Sequence, residues 1–167
     1  MAATVEICES NTVSQTVTHN ISDTDMGSAD SATVDPVANP ITPGSNSYEK
    51  WQRFHVTAMG GSSKIDNLQV WRTGALGANA SHVTNARTSS YGGAPTFATP
   101  TASSSSVAGQ TMPTSDPGAA NLGIGGSLTG SLTATGYSDY LVHQIQTTGS
   151  ATAGSTTTMN YQYDETA

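Results

Sequence analysis

The chain has 167 residues, only 10% of them charged, with 12 acidic side chains, 5 basic ones and a formal net charge of −7. About 25% charged residues is usual for a soluble domain, and here Ser, Thr, Ala, Gly and Asn take their place. Such a balance argues against nucleic-acid binding, which needs clustered Lys and Arg, and no stretch approaches the roughly 18 apolar residues of a membrane helix.

The length suits one domain, residues 1–167, with a thin hydrophobic core. The start has neither the basic region nor the apolar run of a signal peptide, so synthesis in a cytoplasm is expected. In chain order, residues 4–7 and 16–21 read as two short strands. In the second, Val17, His19 and Ile21 share one face, and Thr16, Thr18 and Asn20 the other. Cys8 is the single cysteine, so neither an internal disulfide nor a cysteine zinc site is expected. Residues 22–47 show no periodicity. Asp35-Pro36, Asn39-Pro40 and Thr42-Pro43-Gly44 force extended geometry there, which predicts an extended, Pro-bearing arm or a surface wrap. Within it, Asp23, Asp25 and Gly27 resemble the start of a calcium loop, but Val34 stands where the bidentate Glu belongs. A solvated acidic loop is the reading that remains.

The stretch 48–71, YEKWQRFHVTAMGGSSKIDNLQVW, holds both tryptophans and is the best-patterned part of the chain. Phe54, Val56 and Ala58 alternate with His55, Thr57 and Met59. After Gly60-Gly61-Ser62-Ser63, Leu68 and Val70 share a face against Gln69. This predicts a β-hairpin with a loop at 60–63. Trp51 and Phe54, like Ile65 and Leu68, are three apart, which predicts a bulge or bend on each limb. The expected structural core is Trp51, Phe54, Val56, Leu68, Val70 and Trp71. All five basic residues, Lys50, Arg53, Lys64, Arg72 and Arg87, fall between positions 50 and 87, a grouping suited to docking on an acidic protein surface.

Residues 73–135 form a low-complexity, loop-rich region, in which short strands are expected around 80–84, 107–112 and 127–132. Beyond Tyr137, Tyr140 and Val142 alternate with Leu141, His143 and Ile145, so both faces are partly apolar, as in a strand between two layers. Met159, Tyr161 and Tyr163 then line one face of a last strand ending at Asp164-Glu165. The fold class expected is all-β: an antiparallel β-sandwich, jelly-roll-like, with long irregular loops and an extended arm.

No G-x-S-x-G, H-E-x-x-H or G-x-x-x-x-G-K-[ST] pattern occurs, and Gly123-Ile124-Gly125-Gly126 lacks the flanking strand and helix of a phosphate cradle. No catalytic residue, cofactor or metal is therefore expected, and the chain reads as a non-enzyme. His19, His55, His82 and His143 lie on different candidate strands or loops; two or three meeting in space to bind a metal is the minor alternative, and without ligand spacing they read as surface or satisfied core residues. Asn20-Ile21-Ser22 and Asn79-Ala80-Ser81 fit the glycosylation pattern, which has no force without secretion. Trp51, Trp71 and the tyrosines suit a core or subunit interface, or a sugar platform.

The segments 40–53 (PITPGSNSYEKWQR) and 65–71 (IDNLQVW), set in a charge-poor Ala/Ser/Thr/Gly-rich chain, resemble accessory structural proteins of tailed-bacteriophage particles. That resemblance implies a β-sandwich subunit located in the virion, most plainly a capsid decoration (cement) protein. Its partners would be the major capsid protein or other virion proteins, and it would form a homo-oligomer, a trimer being favoured. Tail, baseplate or fibre roles are alternatives in the same class. A carbohydrate-binding β-sandwich recognising a host surface is an alternative in another, with Trp71 beside Arg72, and Tyr91, as candidate contacts.

Overall fold

The computed structural model describes residues 1–12, 14, 16–87, 109–121, 130–152 and 154–167. The strands there are β1 (Thr4–Asn11), β2 (Thr16–Thr18), β3 (Lys50–Ala58), β4 (Lys64–Thr73), β5 (Ala80–Arg87), β6 (Gln110–Thr111), β7 (Gly136–Tyr137), β8 (Tyr140–Thr147) and β9 (Thr158–Thr166). The larger sheet runs β2-β1-β3-β8-β5-β6, with β7 also paired to β3, and β4 and β9 form a second, two-stranded sheet. All pairings are antiparallel. The fold is all-β and sandwich-like, as composition and alternation imply.

The two layers meet along one apolar seam. Phe54 and Val56 of β3, Ala86 of β5 and Leu141 of β8 pack against Ile65, Leu68 and Val70 of β4, with Met159, Tyr161 and Tyr163 of β9 flanking them. The alternation read from the sequence fixes these inward faces because side chains on a strand point to opposite sides in turn. Ser138 fills the gap between β7 and β8: its hydroxyl accepts from Phe54 N at 3.1 Å, and its own N–H donates to Phe54 O at 3.0 Å.

The predicted hairpin is not one. β3 and β4 belong to different sheets, and the 59–63 connection crosses between layers as an arch. Both edges of β3 are already taken, by β1 on one side and by β8 and β7 on the other. Alternation tells which face of a strand is dry, not which strand lies beside it. Gly60 suits the arch for a second reason. With φ at +60°, a Cβ there would lie 2.3 Å from the carbonyl oxygen of Met1.

Each limb carries a register shift, but only that of β4 lies where the three-residue spacing places it. The β4–β9 register shifts between Asp66 and Gln69, and Asn67 adopts φ of 52°, which returns Ile65 and Leu68 to the same side. On β3 the shift against β1 falls between Val56 and Ala58, and the register is unbroken from Trp51 to Val56. Trp51 therefore stays on the opposite face of the large sheet, where it forms a second apolar cluster with Tyr140 and Val142, flanked by Val83. Its ring meets Tyr140 edge-on, centroids 5.2 Å apart. Trp71 also departs from expectation: it lies on the outer side of β4, half-buried, and is not part of the core.

The arm, residues 22–47, folds back as a surface wrap. Tyr48 N donates to Gly27 O at 2.9 Å, Ser28 N donates to Asn39 O at 3.0 Å, and Val34 is buried against Gly27. A buried polar network between the layers anchors it. Lys50 Nζ lies 2.9 Å from Glu9 Oε1, both side chains being 1% exposed, and also donates to Ser31 O. Gln52 Nε2 donates to Glu9 Oε2 at 3.1 Å and to Thr24 Oγ1 at 2.6 Å, while the Tyr161 hydroxyl donates to Gln52 Oε1. One end of the interlayer space is thus apolar and the other is held by charge and hydrogen bonds.

Of the strands expected in the loop-rich region, β5 covers 80–84 and extends to Arg87, and the 107–112 strand appears as β6 at 110–111. Positions 107, 108 and 127–129 lie outside the described residues; Leu132 forms an isolated bridge with Ile65.

Candidate functional site

The four histidines, remote from one another in sequence, meet as two pairs. One lies on the outer face of the large sheet. Glu6 and Cys8 are two apart on β1 and so share a face. His55 of β3 is the cross-strand partner of Glu6. Antiparallel pairing of Glu9 with Thr18 carries the returning chain alongside β1, which brings His19, one residue beyond β2, to Cys8. The Nδ1 atoms of His19 and His55 each lie 2.7 Å from Glu6 Oε1, and Cys8 Sγ lies 3.3 Å from His19 Nδ1 and 3.4 Å from Glu6 Oε1. One ligand atom from each of the four falls within 4.8 Å of the others.

Supports behind this cluster fix its shape. The His55 ring stacks on Tyr137, with centroids 3.9 Å apart and 4° between planes. The Arg53 guanidinium sits 4.3 Å from the centroids of both Tyr137 and Tyr140. Hydrogen bonds from the two histidines hold the Glu6 carboxyl below its ordinary range. Burial, with Glu6 alongside, pushes the Cys8 thiol up to about 12. Cys8 is buried, Glu6 and His55 are half-buried, and His19 is exposed.

The second pair lies in the polar part of the interlayer space. His82 Nε2 and His143 Nδ1 are 3.1 Å apart, and the residues are 5% and 1% exposed. Burial, aided by the nearby Arg72 charge, pushes His82 down to about 4; burial and His82 push His143 well below its ordinary value. The outer nitrogens, His82 Nδ1 and His143 Nε2, have no hydrogen-bond partner among the described residues. The pair borders a cavity of about 470 Å³, lined also by Asp23, Asp25, Thr157 and Tyr161.

The residues expected as core are placed as follows. Phe54, Val56, Leu68 and Val70 lie in the seam, Trp51 in the second cluster and Trp71 outside. The basic residues are not gathered on one exposed surface among the described residues. Lys50 and Arg53 are buried, Lys64 pairs with Asp66 at 2.7 Å, and Arg72 donates to Gly74 O. The Arg87 side chain and Tyr91 lie outside what is described. Neither histidine pair is marked by spacing along the chain, and the sequence does not say which histidines meet. The available signal was the pairing of 4–7 with 16–21, which places His19 beside Cys8.

Comparison with protein families, with curated proteins and with solved structures finds no match to this chain.

Proposed function

We propose that this chain is a non-enzymatic structural subunit of a virus particle, a capsid decoration (cement) protein that binds and stabilises the assembled shell through protein–protein contacts. The observation that carries the reading is the edge of β9. The larger sheet ends in strands of 3 and 2 residues, β2 and β6, which are too short to template another strand. β9 presents 9 residues, Thr158–Thr166, whose outer edge pairs with no strand among the described residues. A long edge with charge only near its end suits strand addition by a neighbouring chain, where main-chain hydrogen bonds supply affinity.

Because Lys50 and Arg53 are inside while Asp23, Asp35, Asp116, Asp164 and Glu165 are exposed, the complementary patch on the partner is neutral or basic. The partner would be the major capsid protein or another copy of this chain. Co-sedimentation with assembled empty heads tests the proposal: saturable binding at a fixed ratio is expected, weakening as salt rises toward physiological strength. A chain that binds neither heads nor itself contradicts it.

Trp71 favours a second reading, carbohydrate recognition at a host surface. It is half-buried on the outer side of β4 and pairs across the strands with Asn160, an aromatic face beside an amide. Glycan-array binding that disappears in a folded Trp71→Ala variant would support this reading in place of the first.

A further inference from the structure

We propose that Glu6, Cys8, His19 and His55 bind one divalent transition ion, Zn²⁺ foremost, in a closed structural site that clamps the segment following β2 to β1 and β3. The inference does not depend on the virion reading. One thiolate, two imidazoles and one carboxylate are the ligand types that Zn²⁺ takes at about 2.0–2.3 Å in tetrahedral geometry. Ca²⁺ and Mg²⁺, which want oxygen throughout, are poorly served by this set. Four protein donors leave no open position, which marks a structural site in preference to a catalytic one.

The geometry is close to that demand. Tetrahedral bonds of this length separate the ligand atoms by about 3.3–3.8 Å. The Cys8–His19 and Cys8–Glu6 separations, 3.3 and 3.4 Å, already fall there. The two His–Glu contacts, each 2.7 Å, are hydrogen bonds that an ion would open by roughly half an ångström. His19 has the freedom to make that adjustment, since its side chain is 51% exposed and lies beyond the end of β2. Glu6, Cys8 and His55 sit on paired strands, and the Tyr137 stack holds the His55 ring, the rigid support that a metal site requires. On binding, the Cys8 S–H proton leaves to solvent as the Sγ–Zn bond forms, and any proton on a coordinating Nδ1 leaves likewise. No electron is transferred.

The test uses the full chain, stripped with a chelator and titrated with Zn²⁺ against a chromophoric competitor, then with Co²⁺. One equivalent should bind, Co²⁺ should give a thiolate-to-metal charge-transfer band, and Zn²⁺ should raise the melting temperature. Cys8→Ser should abolish the band and weaken binding by about 100-fold or more. Should the buried Cys8 site fail to tolerate Ser, His19→Gln at the exposed position provides the second variant, which should still unfold cooperatively without metal and show no rise in melting temperature on adding Zn²⁺. Failure to bind Zn²⁺ below millimolar concentration overturns the proposal. So does binding that neither substitution affects, or a Co²⁺ complex without the thiolate band.

Discussion

Phe54 and Trp71 occupied equal places in the sequence pattern, but the structure separates them: one is 1% exposed in the seam and the other half-buried on the outer side of β4. Phe54→Ala should cost about 3–5 kcal/mol, the transfer term plus the cavity left behind. Trp71→Ala should cost less, about 1–2 kcal/mol, because only part of its ring leaves water. Urea unfolding of the two variants checks the assignment. The His82–His143 pair makes a second residue-scale prediction. His82 is held near 4 in the folded chain, against about 6.5 when unfolded. The unfolded state therefore binds the proton first, and stability is complete above pH 6.5 and falls as pH drops toward 4. At about 1.4 kcal/mol per unit, His82 alone accounts for about 3 kcal/mol across that window. His143 adds in the same direction. A His82→Gln variant should flatten the profile between pH 6.5 and 4. An equally steep profile in that variant would mean that the pair is not the source.

Among elements, the strands were largely legible because apolar alternation is local information. Phe54/Val56, Leu68/Val70 and Met159/Tyr161/Tyr163 each declared an inward face, and each is packed in or against the seam. The partnership of β3 and β4 was not legible, since the same alternation serves a hairpin within one sheet and an arch between two. The candidate metal site was illegible for a related reason: its four donors are assembled by cross-strand register and not by spacing along the chain. The bulge at Asn67 was readable from the three-residue step between Ile65 and Leu68. Asn67 holds positive φ, its Nδ2 donates to Asp164 Oδ2 at 2.8 Å, and its Oδ1 accepts from Ala120 N at 2.6 Å. Asn67→Val should cost about 2–4 kcal/mol, combining a left-handed backbone penalty with lost hydrogen bonds. Asn67→Gly keeps the backbone conformation and should cost about 1–2 kcal/mol. Equal losses in thermal or urea unfolding would show that the bulge does not set the register of β4.

At the scale of the whole molecule, a chain poor in ions spends its cations internally. Lys50 closes a buried network with Glu9 and the arm, Arg53 lies against two tyrosines, and Asp23, Asp35, Asp116, Asp164 and Glu165 are left to solvent. The arm, for which the sequence left an extended course or a surface wrap open, wraps its own sandwich, so the proposed docking on other subunits would fall to the β9 edge and the acidic surface. On the proposed reading, folding and docking use separate parts of the chain, as suits a subunit that folds first and adds to a finished shell. The copy number of this chain in purified phage particles, counted from a low-resolution map, tests the decoration reading most directly. Hundreds of copies at regular sites on the shell are predicted; a few copies confined to the tail, or none on the particle, would contradict it.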